Sequence, residues 1–319
     1  MKKFNIKLMF SALVAVFMVG FVGLAIKAPN AYAAQSTVDL GTATPFAILA
    51  GTPAITDAGN ASVITGNVGL SPRTSADIGL WCSQMTGLST IYGVDAGYTG
   101  GGHGTLCFKG TAPDKTLVDN AQLDLTTAYD DAAGRTATTV DTELGGQHLY
   151  SGVYDTASTA LQITAGAGAL VLDAQNDASA VFIFEASDAE AGALTVGSGG
   201  TVSLINGAQA CNVFWRVYGA TIDTTAVFKG NILALTSITV ANGANIEGRL
   251  LARNGQVTLI NDTITAPVCT VTSGSGSVTP KLPNTGSEQN TTSLWAIGIS
   301  SGIIVVLLSF IIAQRKRVI

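Results

Sequence analysis

Hydrophobic residues along the middle of the chain follow two patterns in turn. In Phe46–Leu49, Val153–Tyr154, Val181–Phe184, Val213–Val217, Ile232–Leu235 and Leu250–Leu251 they occupy successive positions. A strand that is apolar on both sides is a strand buried on both sides. Elsewhere they alternate with small polar residues: Leu161 and Ile163, Leu194 and Val196, Ile238 and Val240, Val257 and Leu259. That spacing predicts strands with one face inward and one toward solvent. The patterns succeed one another in units that can be set under each other, NVFWRVYGATIDTTAVFKG from Asn212, NILALTSITVANGANIEG from Asn231 and RLLARNGQVTLINDTIT from Arg249. The period is about 18 residues, enough for three short strands and three bends, one turn of a β-solenoid. Longer units start at Ser151 and Ala180, and a further one lies far upstream at Phe46. Three strands per turn give three faces.

The doubly apolar face needs a cover. Residues 113–134 supply a helix: Val118, Ala121, Leu125, Ala128 and Ala132 fall on one stripe, with Pro113 at the start and Gly134 near the end. Residues 71–111, Gly-rich and holding Cys82 and Cys107, read as a cap that protects an open sheet edge. On the alternating face the outward residues form columns. One reads Thr56, Gln162, Thr195, Asp223, Thr239, Thr258; its neighbour reads Ala58, Thr164, Gly197, Thr225, Ala241, Ile260. Rungs stack about 4.8 Å apart and same-side residues along a strand about 6.7 Å apart, so short side chains would form a flat grid.

Composition supports this picture. Charged residues are 12% and aromatic residues 7% of the 319, and there are 37 glycines, which suits a turn-rich β architecture. Net charge is −5, and both chain ends are basic. Those ends hold seven of the 16 Lys+Arg and one acid, Glu288, so their removal leaves −11. That acidity argues against nucleic acid as a partner. Residues 1–33 have the order of a secretory signal: Lys2, Lys3 and Lys7, an apolar run over 8–26, and Ala31-Tyr32-Ala33 as a small-x-small cleavage site. Residues 270–281, rich in Ser, Thr, Gly and Pro, form a linker. Beyond them stand Leu282, Pro283, Asn284, Thr285 and Gly286, a polar spacer, an apolar run over 294–313 and a basic tail. Taken alone, the last two parts are a transmembrane span with its end in the cytoplasm.

The cysteines fit an exported chain. Cys82 and Cys107 flank one insert and make a plausible disulfide staple; Cys211 and Cys269 are harder to place, pairing between them being one option among the three connectivities that four cysteines allow. With no CxxC and only His103 and His148 as histidines, there is no zinc-site spacing. Asp130 and Asp131 are neighbours on the predicted helix, and Glu185, Asp188 and Glu190 sit at a lengthened corner. Neither group has the separated acid and base that sugar hydrolysis requires. The expectation is a monomeric binding protein, not an enzyme, with no cofactor and no metal.

Two resemblances sharpen it. LPNTG followed by an apolar run and basic tail is similar to the sortase sorting signal of Gram-positive surface proteins. It implies cleavage between Thr285 and Gly286 by sortase and covalent attachment to peptidoglycan at the cell surface. FAILAG, DLTTAYDDAAGRT, AVFIFEA, INGAQACNVFW, FKGNILALTSIT and GRLLARNGQVTLIND resemble the DUF3494 ice-binding proteins, over essentially all of residues 38–265. This resemblance implies a right-handed parallel β-solenoid of triangular section over 34–269, a helix along one side, and the N-terminal coil beside the C-terminal one. It also implies that a flat face without the helix adsorbs to ice. The candidate positions are Thr56, Gln162, Thr164, Thr195, Thr221, Asp223, Thr225, Ser237, Thr239, Ala241 and Thr258. TAST at Thr156–Thr159 matches a family binding-face pattern but lies near a corner. A wall-anchored adhesin for protein or glycan is the rival class; Trp81, Trp215 and Tyr218 are the notable aromatic residues it could use, though Trp215 falls on the helix-covered face and reads as core.

Overall fold

The computed structural model of the protein describes residues 35–100, 105–186 and 192–270. The signal segment, the sorting motif at 282–286 and the apolar run at 294–313 lie outside the described residues. Among the described residues no helix is long and apolar enough to cross a membrane.

The fold is mostly parallel β with one long helix. The chain visits three sheets in succession. A 13-stranded sheet contains, in spatial order, Thr138–Val140, Gly152–Thr156, Phe182–Glu185, Val213–Val217, Val227–Ala234, Asn245–Ala252, Phe46–Ala50 and Asn67–Leu70. Strands from 71–111 prolong it: Ile91–Tyr92 pairs with Asn67–Leu70, and Phe108–Lys109 pairs with Ile91–Tyr92. A six-stranded sheet carries the alternating segments, and His148–Tyr150, Leu170–Asp173 and Val202–Ile205 form a three-stranded one. The N-terminal strand pairs with the C-terminal coil, Ile48 opposite Leu250 and Leu49 opposite Leu251. Sequence order is therefore not spatial order.

The successive apolar positions divide between two cores. Ile48, Phe182, Phe184, Trp215, Ile232 and Leu250 point into the coils, where the Trp215 and Phe184 rings stack 4.1 Å apart. Phe46, Leu49, Val153, Ile183, Phe214, Leu233 and Leu251 point the other way, against the helix Ala112–Ala133. That helix starts on a capping box in which Thr111 Oγ1 and Thr111 N–H donate to the Asp114 carboxylate. Its buried stripe is Val118, Ala121, Leu125, Ala128, Tyr129 and Ala132, and the alanines let it lie close to the sheet. The eight-residue strands Val227–Ala234 and Asn245–Ala252 turn a corner where Gly230 meets Gly248. A Cβ on Gly248 would fall 1.9 Å from the Gly230 carbonyl oxygen, so the close approach needs glycine.

Cys82 and Cys107 are joined, as expected, and Cys211 is joined to Cys269. Near the helix C-terminal end the sheet is polar. Glu185 lies opposite Arg216, with Asp155 on the strand beyond, and the Arg216 guanidinium sits 4.4 Å over the Tyr129 ring. Among the described residues, Asp155 Oδ1 and Glu185 Oε1 are buried without a hydrogen-bond partner. Burial pushes the Glu185 carboxyl up to about 7; Asp155 adds to the rise, while Arg216 and Arg135 oppose it. The folded state thus favours protonated Glu185. The resulting stability is complete below the unfolded value near pH ~4.3 and is lost as pH climbs through about 7. Glu185→Gln is expected to remove this fall, giving a higher Tm than wild type at pH 8 and a difference that shrinks steadily as pH drops toward the unfolded value. Burial raises Asp262 to about 6, so its share of the slope stays in the lower part of the window. Melting curves from pH 5 to 8 that run parallel for wild type and variant would contradict the assignment.

Candidate functional site

The six-stranded sheet runs Leu161–Ile163, Leu194–Val196, Ala220–Ile222, Ile238–Val240, Val257–Leu259, Ile55–Asp57. In each strand the first and third residues are buried and the middle one faces out. The pairing puts the middle residues in one line: Gln162, Thr195, Thr221, Thr239, Thr258, Thr56. Five threonines thus follow one another without a break. The last two are 202 residues apart in sequence, yet Thr56 Oγ1 donates to Thr258 Oγ1 at 3.3 Å. β-Branched Thr has few rotamers to lose, so the line is stiff as well as straight.

One position in the line differs from the sequence expectation. Thr221, not Asp223, pairs with Thr195 and Thr239. The strand is Ala220–Ile222, and its inward residue Ala220 is too small to register as a hydrophobic beat. Asp223 falls in the next line, where its N–H donates to the Val196 carbonyl, level with Gly197 and Ala241. Its carboxylate accepts the Thr224 N–H at 2.7 Å, and that bond, helped by Ser198, holds the carboxyl below the usual range. Thr225 is displaced too: its φ is +56° and it belongs to the corner. Thr164 keeps its place, but its hydroxyl donates to Glu143 Oε2 at 2.8 Å. Glu143 bridges to Gln162 and so ends the line with a charge. Ser237 and Ala241 lie just outside the two ends of the Thr239 strand. On the side before the strands the flanking residues are Ala160, Ala193, Gly219, Ser237, Gln256 and Ala54. On that side the threonines are therefore bordered mostly by small side chains, Gln256 being the long one. In the TAST segment, Thr156 is buried and donates to the Ala160 carbonyl, and Thr159 has φ +65°.

The acidic groups considered for catalysis are placed elsewhere. Asp130 pairs with Arg253 and Asp131 with Arg135 on the helix surface, and Glu185 lies beneath the helix. Asp188 and Glu190 lie outside the described residues. Among the described residues no cluster of three His, Cys, Asp or Glu could hold a metal. A groove of about 860 Å³ is lined by Val38, Leu40, Leu88, Phe214 and Val268, with Asp39 and Arg249 as its charged residues. The Arg249 guanidinium is already bonded to Thr44 O, Asn231 Oδ1 and Pro267 O. Trp215 is fully buried, so it is no surface anchor.

Comparison with known proteins agrees with this geometry. The family model described as Ice-binding-like matches residues 48–265. An ice-binding protein of Flavobacterium frigoris (strain PS1) is 38% identical over 239 residues, 72% of this chain and 76% of that one. One from Colwellia sp is 37% identical, covering 72% of this chain and 84% of that one. Among solved structures, an ice-binding protein from an Antarctic biological consortium superposes with TM-score 0.61 at 35% identity, covering 75% of this chain and 96% of that one. The DUF3494 domain of Shewanella frigidimarina ice-binding protein 1 gives TM-score 0.62 at 29% identity, covering 74% and 99%.

Proposed function

The chain belongs to the Ice-binding-like family, and on that premise we propose that it is a cell-surface protein that adsorbs to ice through the six-stranded sheet. The observation that carries the choice of face is the unbroken line Thr195, Thr221, Thr239, Thr258, Thr56. Ice offers a repeating lattice and no pocket. A binder must hold water in a matching pattern over a wide, rigid area. Threonine methyl groups exclude disordered water, and threonine hydroxyls anchor ordered water. Long charged side chains would keep loose hydration shells and lose rotamer entropy on docking. Adsorbed molecules make the ice front curve between them, which lowers the freezing point and stops recrystallisation. No bond is broken, so no catalytic group or cofactor enters. Glu143 and Asp223 break up the grid at one end and in one line, which favours moderate over extreme activity.

The same proposal places the mature chain on the wall. After secretion, the motif Leu282, Pro283, Asn284, Thr285, Gly286 would be cut by sortase, with Thr285 joined to peptidoglycan. The right-handed winding of the coils and a monomeric state belong to this reading as well. The tests are direct. Purified protein should show thermal hysteresis and inhibit ice recrystallisation; a folded protein without either would sink the ice-binding reading. Deletion of residues 282–286 should move the protein from the muramidase-released wall fraction into membrane or medium. Continued covalent wall linkage would sink the anchoring reading alone.

A further inference from the structure

We propose that the Cys211–Cys269 disulfide is the mechanical attachment point of the domain: it delivers tension arriving from beyond residue 270 into the middle of the coil stack instead of into the last strand. The proposal rests on the reading that the chain is fixed to the wall through its C-terminal end while the threonine face is fixed to ice.

The last strand, Thr263–Thr265, is three residues long and lies between Asn245–Glu247 and Val63–Thr65. A pull applied directly to its end would meet only the short ladders on its two sides. The chain does not leave there. Residues 266–270 run as a strap toward 209–212 and are pinned along the way. The Ala266 N–H donates to Thr65 O, and the Pro267 carbonyl accepts Arg249 Nη2 at 3.0 Å. Cys269 is bonded to Cys211 across 58 residues of sequence. Thr270 N–H and Oγ1 donate to Gln209 Oε1 at 2.6 and 2.9 Å, and Gln209 Nε2 donates to Thr270 O and to Ala178 O.

Cys211 leads into Val213–Val217, a strand buried throughout and paired on both sides, with Phe182–Glu185 and with Val227–Ala234. Force entering at Cys211 meets a central strand with two full ladders, and residues 212–268 leave the load path because the disulfide closes them into a loop. A covalent bond stands where the weakest non-covalent joint would otherwise carry the load. The disulfide does not touch the threonine line, so this role is separable from adsorption.

The test pulls single molecules of the full chain, purified in detergent, held by one tag after Ile319 and pulled by another before Gln35. The wild type should resist with no early low-force step from the C-terminal side. The Cys211→Ser/Cys269→Ser variant should show that step before the main rupture and lengthen by about 200 Å more in total, the span of 58 freed residues at about 3.5 Å each. If that variant does not fold, reductant added to folded wild type should produce the same early step. A chain lacking only the Cys82–Cys107 bond is the control for the second disulfide and should still resist. The proposal is overturned if the early step is present with the disulfide intact, or if breaking the bond leaves the first rupture force unchanged. The measurement needs neither ice nor wall, so absent hysteresis or absent wall linkage would be scored against those readings separately.

Discussion

Thr239→Tyr is expected to abolish most of the thermal hysteresis while moving Tm by no more than about 2 °C, the range of an exposed substitution in a domain of this size. Thr239 is the middle of the five-threonine line, paired with Thr221 on one side and Thr258 on the other. Its side chain is exposed and the strand beneath it is anchored by buried Ile238 and Val240. A tyrosine ring would rise above its neighbours and hold the flat face off a crystal plane, whereas the core beneath would not be disturbed. Adsorption over a rigid plane is lost when one central point stands too high, because neighbouring rungs cannot bend to follow. Ser203→Tyr, on the three-stranded sheet, is the matched control and should leave hysteresis near wild type. A larger loss from Ser203→Tyr than from Thr239→Tyr would move the adsorbing surface to that other sheet.

Arg249→Ala is expected to be among the most damaging single changes to stability, costing about 3–5 kcal/mol, with Tm lowered by roughly 10 °C. Arg249 is buried, and burial lowers its pKa to about 10. Its guanidinium spans three otherwise separate segments through Nε to Thr44 O at 2.8 Å, Nη1 to Asn231 Oδ1 at 2.8 Å and Nη2 to Pro267 O at 3.0 Å. Truncation leaves these oxygens without their donor, two of them in buried hydrogen bonds. Thr44 lies just before Phe46–Ala50, the strand that joins the N-terminal coil to the C-terminal one. The variant should therefore also lower hysteresis in proportion to the loosening of the Thr56 rung. Arg249→Lys keeps the charge but cannot reach three acceptors from one point, and should recover only part of the stability. A Tm for Arg249→Ala within 2 °C or so of wild type would show that the three contacts are incidental.

Much of the architecture was legible in the residue pattern. Doubly apolar strands such as Val213–Val217 marked the face that the helix must cover, and the stripe from Val118 to Ala132 identified the cover. The alternating segments marked the opposite kind of face, and Thr195, Thr239, Thr258 and Thr56 were correctly aligned from sequence. Glu143 was not singled out: it lies in a segment between strands, and only the bridge to Gln162 brings it to the threonine line. The Cys211–Cys269 pairing was one option among three connectivities, and only the structure selected it, because the strap that brings Cys269 there is a path through space with no periodic trace.

By itself the sequence determined which residues face in and which face out, since alternation has a period of two and burial enforces it. What only the tertiary structure decided was which outward residues are neighbours. A slip of one residue would turn Thr239 into the core and is excluded by pattern alone. A slip of two leaves every side chain on its own face, so Asp223 and Thr221 were equivalent until cross-strand hydrogen bonds set the register. The same bonds decided that Thr56, on the second strand along the chain, completes a line whose preceding member is Thr258.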